Sequence, residues 1–294
     1  MGGGRRALTG RSPKGESMNR AAFYAALRDP ASGVFKSYSA KQFESLDAVV
    51  LEGRRRAVGL CHLAAILAEV HHETGGTMRP VEENLNYSAR RLMQVWPARF
   101  PTLASAEPYA GNPRKLANRV YGGRLGNVED DDGWVFRGRG LAQITGRANY
   151  GKFGLVEMPD RACDPATAIR ILFDGMVHGL FTGKRLTDFD TDDSRSAAAT
   201  GYRYAASRAI INGDIRQNGP KIEAYGRAFE AALRAAGYGR ESASADPSVV
   251  VVLRPGSVER APDMESVNAS HGAKFNRLRR LIEAVAGFLA RWTK

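Results

Sequence analysis

Cysteine is nearly absent: Cys61 and Cys163 are the only two in 294 residues. Two thiols cannot staple the disulfide framework on which small secreted proteins depend. Cys61 lies inside an apolar run, where a free thiol behaves as a small buried hydrophobe. Long apolar runs are missing too, since no stretch reaches the roughly 18 residues that a membrane span needs. Alternating strand patterns are scarce, and only residues 134–144 suggest a short hairpin. Histidine is limited to five residues. The pair His71–His72 has no imidazole one helical turn on, because Gly76 stands where the second ligand of a His-Glu-x-x-His zinc site would fall. His62, His178 and His271 show no ligand spacing with that pair, so no metal and no cofactor is expected. "DFDTDD" (188–193) resembles a calcium loop but lacks Gly at its sixth position and Glu at its twelfth. The first 17 residues are basic but carry no apolar segment of the kind a signal peptide needs.

What is present is positive charge, +12 at neutral pH. That excess predicts attraction to something anionic: nucleic acid, a membrane surface or an acidic cell-wall polymer. Hydrophobic content of 43% and charged content of 25% are ordinary for a globular chain with length enough for a real core. Residues 1–17 are Gly, Ser and Arg rich and read as disordered. Residues 18–239 read as one mainly α domain. Helices are expected at "MNRAAFYAALRD", at "SAKQFESLDAVVLEG" with Ser39 as cap, and at "AVGLCHLAAILAEVHHE", which is apolar almost all round and so central. Residues 75–139 read as long functional loop with short helices such as "SARRLMQVWP". Helical signals return at "PATAIRILFDGMVHGLF", "DSRSAAATGYRYAASRAII" and "PKIEAYGRAFEAALRAAG". Residues 240–272 read as a Ser/Pro/Asp-rich linker. Residues 273–294 read as a basic amphipathic helix suited to an anionic membrane or lipopolysaccharide surface.

The chemistry concentrates at "HHETGG" (71–76). A carboxylate at the C-terminal end of a buried helix loses hydration and faces the negative end of the helix dipole. Both effects raise its proton affinity, as a general acid requires. Gly75 and Gly76 free the backbone to turn away and leave Glu73 facing a cleft. Nine and ten residues on stand Glu82 and Glu83. Two carboxylates across a loop-lined cleft are what glycoside hydrolysis needs, and Asn84, Asn86, Tyr87 and Trp134 offer amide, hydroxyl and aromatic surface to a sugar. Tyr121-Gly122-Gly123 reads either as a tight turn or as substrate contact, and Asp130–Asp132 as a solvated loop.

"HETGG…EENLNYSA", "LANRVYGGRLGN", "DGWVFRGRGLAQITGRANYGKFG" and "SRAIINGD" follow one another in this order. Together they resemble glycoside hydrolase family 19, and within it the chitinase-like endolysins of bacteria and phages, over about residues 18–239. The resemblance implies a lysozyme-like α+β fold of two lobes, mainly α with little β-structure. It implies that Glu73 is the general acid and that the general base lies at Glu82 or Glu83. Adjacency to "NLNYSA" favours Glu83; spacing from Glu73 leaves Glu82 open. Thr145 matches the residue that helps hold the nucleophilic water. Gln143 and Asn149 match sugar-binding positions. Asn212 matches the Asn of a late Asn-Gly-Gly motif, which here ends in Asp214, and Lys221 stands where plant members carry Arg.

The expected function is that of an inverting muramidase-type endolysin acting on peptidoglycan strands. The alternatives are a chitinase on the same fold and a non-catalytic wall-binding or nucleic-acid-binding protein. A monomer without nucleic-acid function is expected, held in the cytoplasm until a holin releases it to the periplasm and cell wall.

Overall fold

The computed structural model describes residues 18–35, 38–191 and 201–239. The disordered segment expected at 1–17, the linker at 240–272, the amphipathic helix at 273–294 and the stretch 192–200 lie outside these residues. Within them the chain is mainly helical, with a single two-stranded sheet among the described residues. None of the described helices is long and apolar enough to cross a membrane.

Helix α1 (Arg20–Arg28) starts on Asn19, whose side chain accepts from Ala22 N. Helix α2 (Ala40–Arg55) starts on Ser39 in a reciprocal capping box with Gln42. Helix α3 (Leu60–Glu73) is the axis of the main core, and every residue in it except His62 is buried. Helix α11 (Ile215–Ala235) packs along α3, with α1 and the short helix α10 (Tyr204–Ser207) against α11. Close approach there depends on Gly226, where a Cβ would stand 2.3 Å from the Tyr204 ring. Leu63, Ile66, Leu67 and Val70 of α3 and Ile222, Phe229 and Leu233 of α11 share this core.

A second core forms the other lobe. It joins Leu92 and Val95 of α4 (Ala89–Val95) and Ala106 of α5 (Leu103–Ala106) to Leu116, Val120 and Tyr121 of α6 (Pro113–Tyr121), around Trp96 and Phe100. A third, smaller core gathers Phe136 and Ile144 with Tyr150 of α8 (Arg147–Lys152) and Ile171 of α9 (Pro165–His178). Strand β1 (Val81–Glu82) pairs antiparallel with β2 (Arg139–Gly140), Val81 opposite Gly140 and Glu82 opposite Arg139.

The structure corrects three local expectations. The hairpin is confined to residues 139–144, closed by an Arg139–Ile144 bridge. Residues Asp132–Val135 are instead helix α7, because Trp134 N and Val135 N fold back onto Asp131 O at 3.0 and 2.9 Å. Of the helix expected over 193–211, the described part is helical only from Tyr204, and 201–203 are not. Tyr202 is drawn into a bridge with Asp190, and Arg203 N binds Phe189 O at 3.2 Å, so the chain there is extended. The Asp130–Asp132 stretch is not a solvated loop throughout, for Asp132 is buried. Its Oδ2 accepts from Val128 N at 2.9 Å and Glu129 N at 3.1 Å, and Arg147 donates to both its oxygens, at 2.8 and 2.5 Å.

The Arg147 hydrogen bonds, helped by the two backbone N–H groups, outweigh burial and hold the Asp132 carboxyl down at about 2. A depressed carboxyl stabilises the fold above its unfolded value near 4 and loses that contribution as pH falls toward 2. Asp132→Asn should therefore lower the unfolding free energy at pH 7 by about 2 kcal/mol, at roughly 1.4 kcal/mol per unit. In urea denaturation the gap from wild type should close as pH falls from about 4 to about 2; a gap independent of pH would contradict this role.

Candidate active site

The end of α3 is built to stop sharply. Thr74 N–H donates to Val70 O at 3.0 Å and Gly76 N–H to His71 O at 2.7 Å. Gly75 and Gly76 take φ of 59° and 76°, the left-handed region that glycine enters without strain. A Cβ on Gly76 would meet His71 Nε2 at 3.0 Å. Gln42, the capping residue of α2, donates to Gly76 O and ties this turn to the start of α2. Glu73 is thus fixed at the last position of the helix.

Glu73 is buried, and so is Glu69 one turn before it on the same helix face. Both carboxylates meet Arg208. Its Nη1 donates to Glu73 Oε1 and to Glu69 Oε2, each at 2.5 Å, and its Nε donates to Asp214 Oδ1 at 2.7 Å. Asp214 Oδ2 in turn accepts from Asn218 Nδ2 at 2.6 Å, and Lys221 Nζ donates to Asn218 Oδ1 at 3.2 Å. Burial raises the Glu73 carboxyl above the ordinary glutamate range, with Asp214 adding to the rise and Arg208 opposing it. Arg208 occupies Oε1 and leaves Oε2 as the oxygen open to a proton.

His71 is a structural support. His71 Nε2 donates to Val34 O at 2.8 Å, and its ring packs 4.2 Å from the Tyr225 ring centre. Burial pushes His71 down to about 4 and His72 down to about 3, so both imidazoles stay neutral in neutral solution. Among the described residues no group of three or more His, Cys, Asp or Glu is placed to hold a metal ion.

Glu82 and Glu83 are separated by the pleat, which turns successive side chains to opposite faces. Glu82 accepts from Arg137 Nη2 at 2.6 Å and from Arg139 Nε at 2.8 Å, and its side chain keeps 44% exposure. Burial alone would raise its proton affinity, but the two guanidinium hydrogen bonds prevail and hold it below the ordinary range. Arg137 is itself fixed, with Nη1 on Trp134 O at 2.7 Å and its guanidinium 3.8 Å from the Trp134 ring centre. Arg139 donates to Val135 O at 2.7 Å and pairs with Asp160 at 2.8 Å. Glu83 points inward. The Tyr121 hydroxyl lies 2.7 and 2.8 Å from its two oxygens, and Gly138 N donates to Oε2 at 3.2 Å. Burial raises its proton affinity against those donors.

The remaining residues singled out in the sequence fall into three groups. Gln143, Thr145 and Asn149 interlock beside the sheet. Gln143 Nε2 donates to Val81 O at 2.8 Å and Gly140 O at 3.0 Å, Thr145 Oγ1 to Gln143 O at 3.1 Å, and Asn149 Nδ2 to Thr145 O at 2.8 Å. Gln143 holds a φ of 50°, rare for a residue with a side chain. Asn212 and Lys221 lie on the Asp214 side, where Asn212 Oδ1 accepts from Asp214 N at 3.1 Å. Tyr87 is buried edge-on against Trp96 in the second core, while Asn86 is exposed and Trp134 half-buried. Sequence reasoning missed Glu69, Arg208, Asp214's ion pair, Arg137 and Arg139. The signal for the first two was present: a carboxylate one turn before Glu73 inside an apolar run, and a lone Arg between buried segments.

Tyr121→Phe removes the hydroxyl that serves both oxygens of a buried carboxyl. It should destabilise the fold by about 1–3 kcal/mol at neutral pH, the penalty of an under-satisfied buried polar group. Calorimetric unfolding checks this, and an unchanged transition temperature would show that Glu83 does not depend on Tyr121.

No family model matches the chain. A curated protein of Haemophilus influenzae, described as a glycosyl hydrolase family 19 domain-containing protein, is 48% identical over 92 residues, which are 31% of this chain and 46% of that protein. The chain therefore spans less than half the length of that relative. Over that shared stretch the chain is similar to a glycosyl hydrolase family 19 domain-containing protein.

Proposed function

We propose that this chain is an inverting glycoside hydrolase that cuts β-1,4 bonds of peptidoglycan glycan strands, with Glu73 as general acid and Glu82 as general base. The observation that carries the reading is the opposite treatment of the two carboxyls. Glu73 is driven toward its protonated form by burial, while Glu82 is held ionised by Arg137 and Arg139. Pairs of carboxyls pushed apart in this way are the mark of an acid and a base sharing one reaction. Glu73 Oε2 gives its proton to the glycosidic oxygen as the bond from that oxygen to C1 breaks. Water attacks C1 from the other face, and a Glu82 oxygen takes its proton, so the new hydroxyl has the inverted configuration.

Glu82 is preferred to Glu83 on access. Glu82 is open to solvent and ionised, whereas Glu83 is buried with both oxygens occupied by Tyr121 and Gly138. Thr145 and Gln143, locked beside the β1–β2 sheet, are the candidates for orienting the water. The net charge of +12 supports an anionic wall polymer as substrate, since its stem peptides carry carboxylates.

Glu73→Gln and Glu82→Gln should each slow release of soluble fragments from peptidoglycan sacculi by about 10²–10⁴-fold, the usual worth of a general acid or base. Glu83→Gln should slow it by less than about 10-fold, since an amide can still meet Tyr121. The kcat/KM profile should be bell-shaped. Activity falls as pH rises through the raised Glu73 value and as pH drops through the depressed Glu82 value. Mass spectrometry should find N-acetylmuramic acid at the new reducing ends. Wild-type lysis by Glu73→Gln would remove the assigned acid, and activity on chitin oligomers alone would move the substrate to N-acetylglucosamine polymers.

A further inference from the structure

The buried cluster at the end of α3 holds more carboxylate than its guanidinium can neutralise. Glu69, Glu73 and Asp214 all bond Arg208, and all four side chains are almost wholly buried. Three ionised carboxylates around one cation would leave uncompensated negative charge in a desolvated site, which is strongly unfavourable. Asp214 is the best satisfied of the three, with Arg208 on one oxygen and Asn218 on the other. The proton therefore belongs to the Glu69–Glu73 pair. Glu69 has no solvent exposure, and its Oε1 is buried without a hydrogen-bond partner. Nothing in the hydrolysis scheme uses Glu69, yet it occupies the same Arg208 nitrogen as the acid.

We propose that Glu69 is a positioning residue for Glu73: by taking half of Arg208 Nη1, it stops that guanidinium from holding Glu73 as a bare carboxylate, and the two glutamates share one proton. The inference rests on Glu73 being the acid. A lone Glu73 facing a buried arginine would form an ion pair and lose its proton to solvent, disabling it as a donor. With Glu69 on the same nitrogen, ionising both glutamates places two negative charges on one N–H₂ group, so the last proton is retained to higher pH. Burial also drives Glu69 itself up to about 8, with Glu73 and Asp214 adding to the rise and Arg208 opposing it. Besides Arg208 and Asp214, Tyr202 before α10 interacts with Glu69, and His72 on α3 interacts with Arg208, Asp214 and Lys221 at the edge of the cluster. His72 is neutral, and Tyr202 is raised by burial, so neither supplies a competing charge near neutrality.

The test compares the full-length wild type, Glu69→Gln and Glu69→Asp. In Glu69→Gln the alkaline limb of kcat/KM on sacculi should move down by about one pH unit or more, a ten-fold or greater loss of protonated Glu73 at alkaline pH. The acid-side plateau of kcat should change by less than about three-fold, because Glu73 is protonated there in either protein. Glu69→Asp, which keeps the charge, should restore the wild-type limb. A lowered plateau with an unmoved limb would reduce Glu69 to a packing role and overturn the proposal, as would an aspartate variant that behaves like the glutamine one. A readout free of activity and of any variant is ¹³C NMR titration of the glutamate carboxyls. In the wild type, Glu69 and Glu73 should move through the same two steps; independent single steps would overturn the proposal. If wild type hydrolyses no glycan, the glycosidase reading fails, while the titration still decides whether the pair is coupled.

Discussion

One guanidinium decides how the end of α3, the candidate site, is organised. Arg208 lies almost fully buried between α3 and α11 and bonds three carboxylates. A buried ion cluster is a weak source of net stability, because desolvation offsets most of the Coulomb attraction. Its value is in geometry and proton affinity. Removing one partner from such a cluster leaves an uncompensated charge and costs about 3–5 kcal/mol, so the arrangement is held in one form. The apolar run of α3 carries Glu69 and Glu73 to Arg208, and the Gly75–Gly76 turn ends the helix before any further side chain intrudes.

The second carboxylate is governed by a different constraint, the pleat of a two-residue strand. Val81–Glu82 is too short to contribute much as a sheet, but its pairing with Arg139–Gly140 places Glu82 directly opposite Arg139. The same register sends Glu83 inward to Tyr121 and Gly138. A slip of one residue would exchange the two glutamates between faces. Register is protected by Gln143, which bonds the backbones of both strands, and by Glu83 N on Gly138 O at 2.8 Å. Farther out, the buried Asp132 turn sets α7, from which Trp134 stacks on Arg137. The ionised state of Glu82 thus depends on a chain of contacts that reaches residues well outside the sheet.

Much of the fold could be read from the sequence. The apolar run of α3, the Ser39 cap and the glycine stop after Glu73 each rest on local rules, and each stands where it was expected. The candidate residues were legible mostly through the resemblance, since spacing alone could not distinguish Glu82 from Glu83. What escaped was non-local. Arg208 is 135 residues from Glu73 in the chain, and no periodicity links them. Asp132 looked like part of an acidic surface loop because three aspartates in a row usually are solvated; only the Arg147 side chain, 15 residues on, draws one of them inside. The late start of α10 has the same origin, as Tyr202 OH reaches Leu186 O at 2.9 Å and Arg203 N reaches Phe189 O, against the local helical tendency.

Two glutamates are held toward opposite protonation states: burial raises the proton affinity of Glu73 against Arg208, while Arg137 and Arg139 lower that of Glu82. Neutron diffraction from a deuterium-exchanged crystal grown near neutral pH reads both states directly. It should find a deuteron shared within the Glu69–Glu73 pair and none on Glu82, with Arg208, Arg137 and Arg139 fully deuterated. A bare Glu69–Glu73 pair, or a deuteron on Glu82, would contradict it.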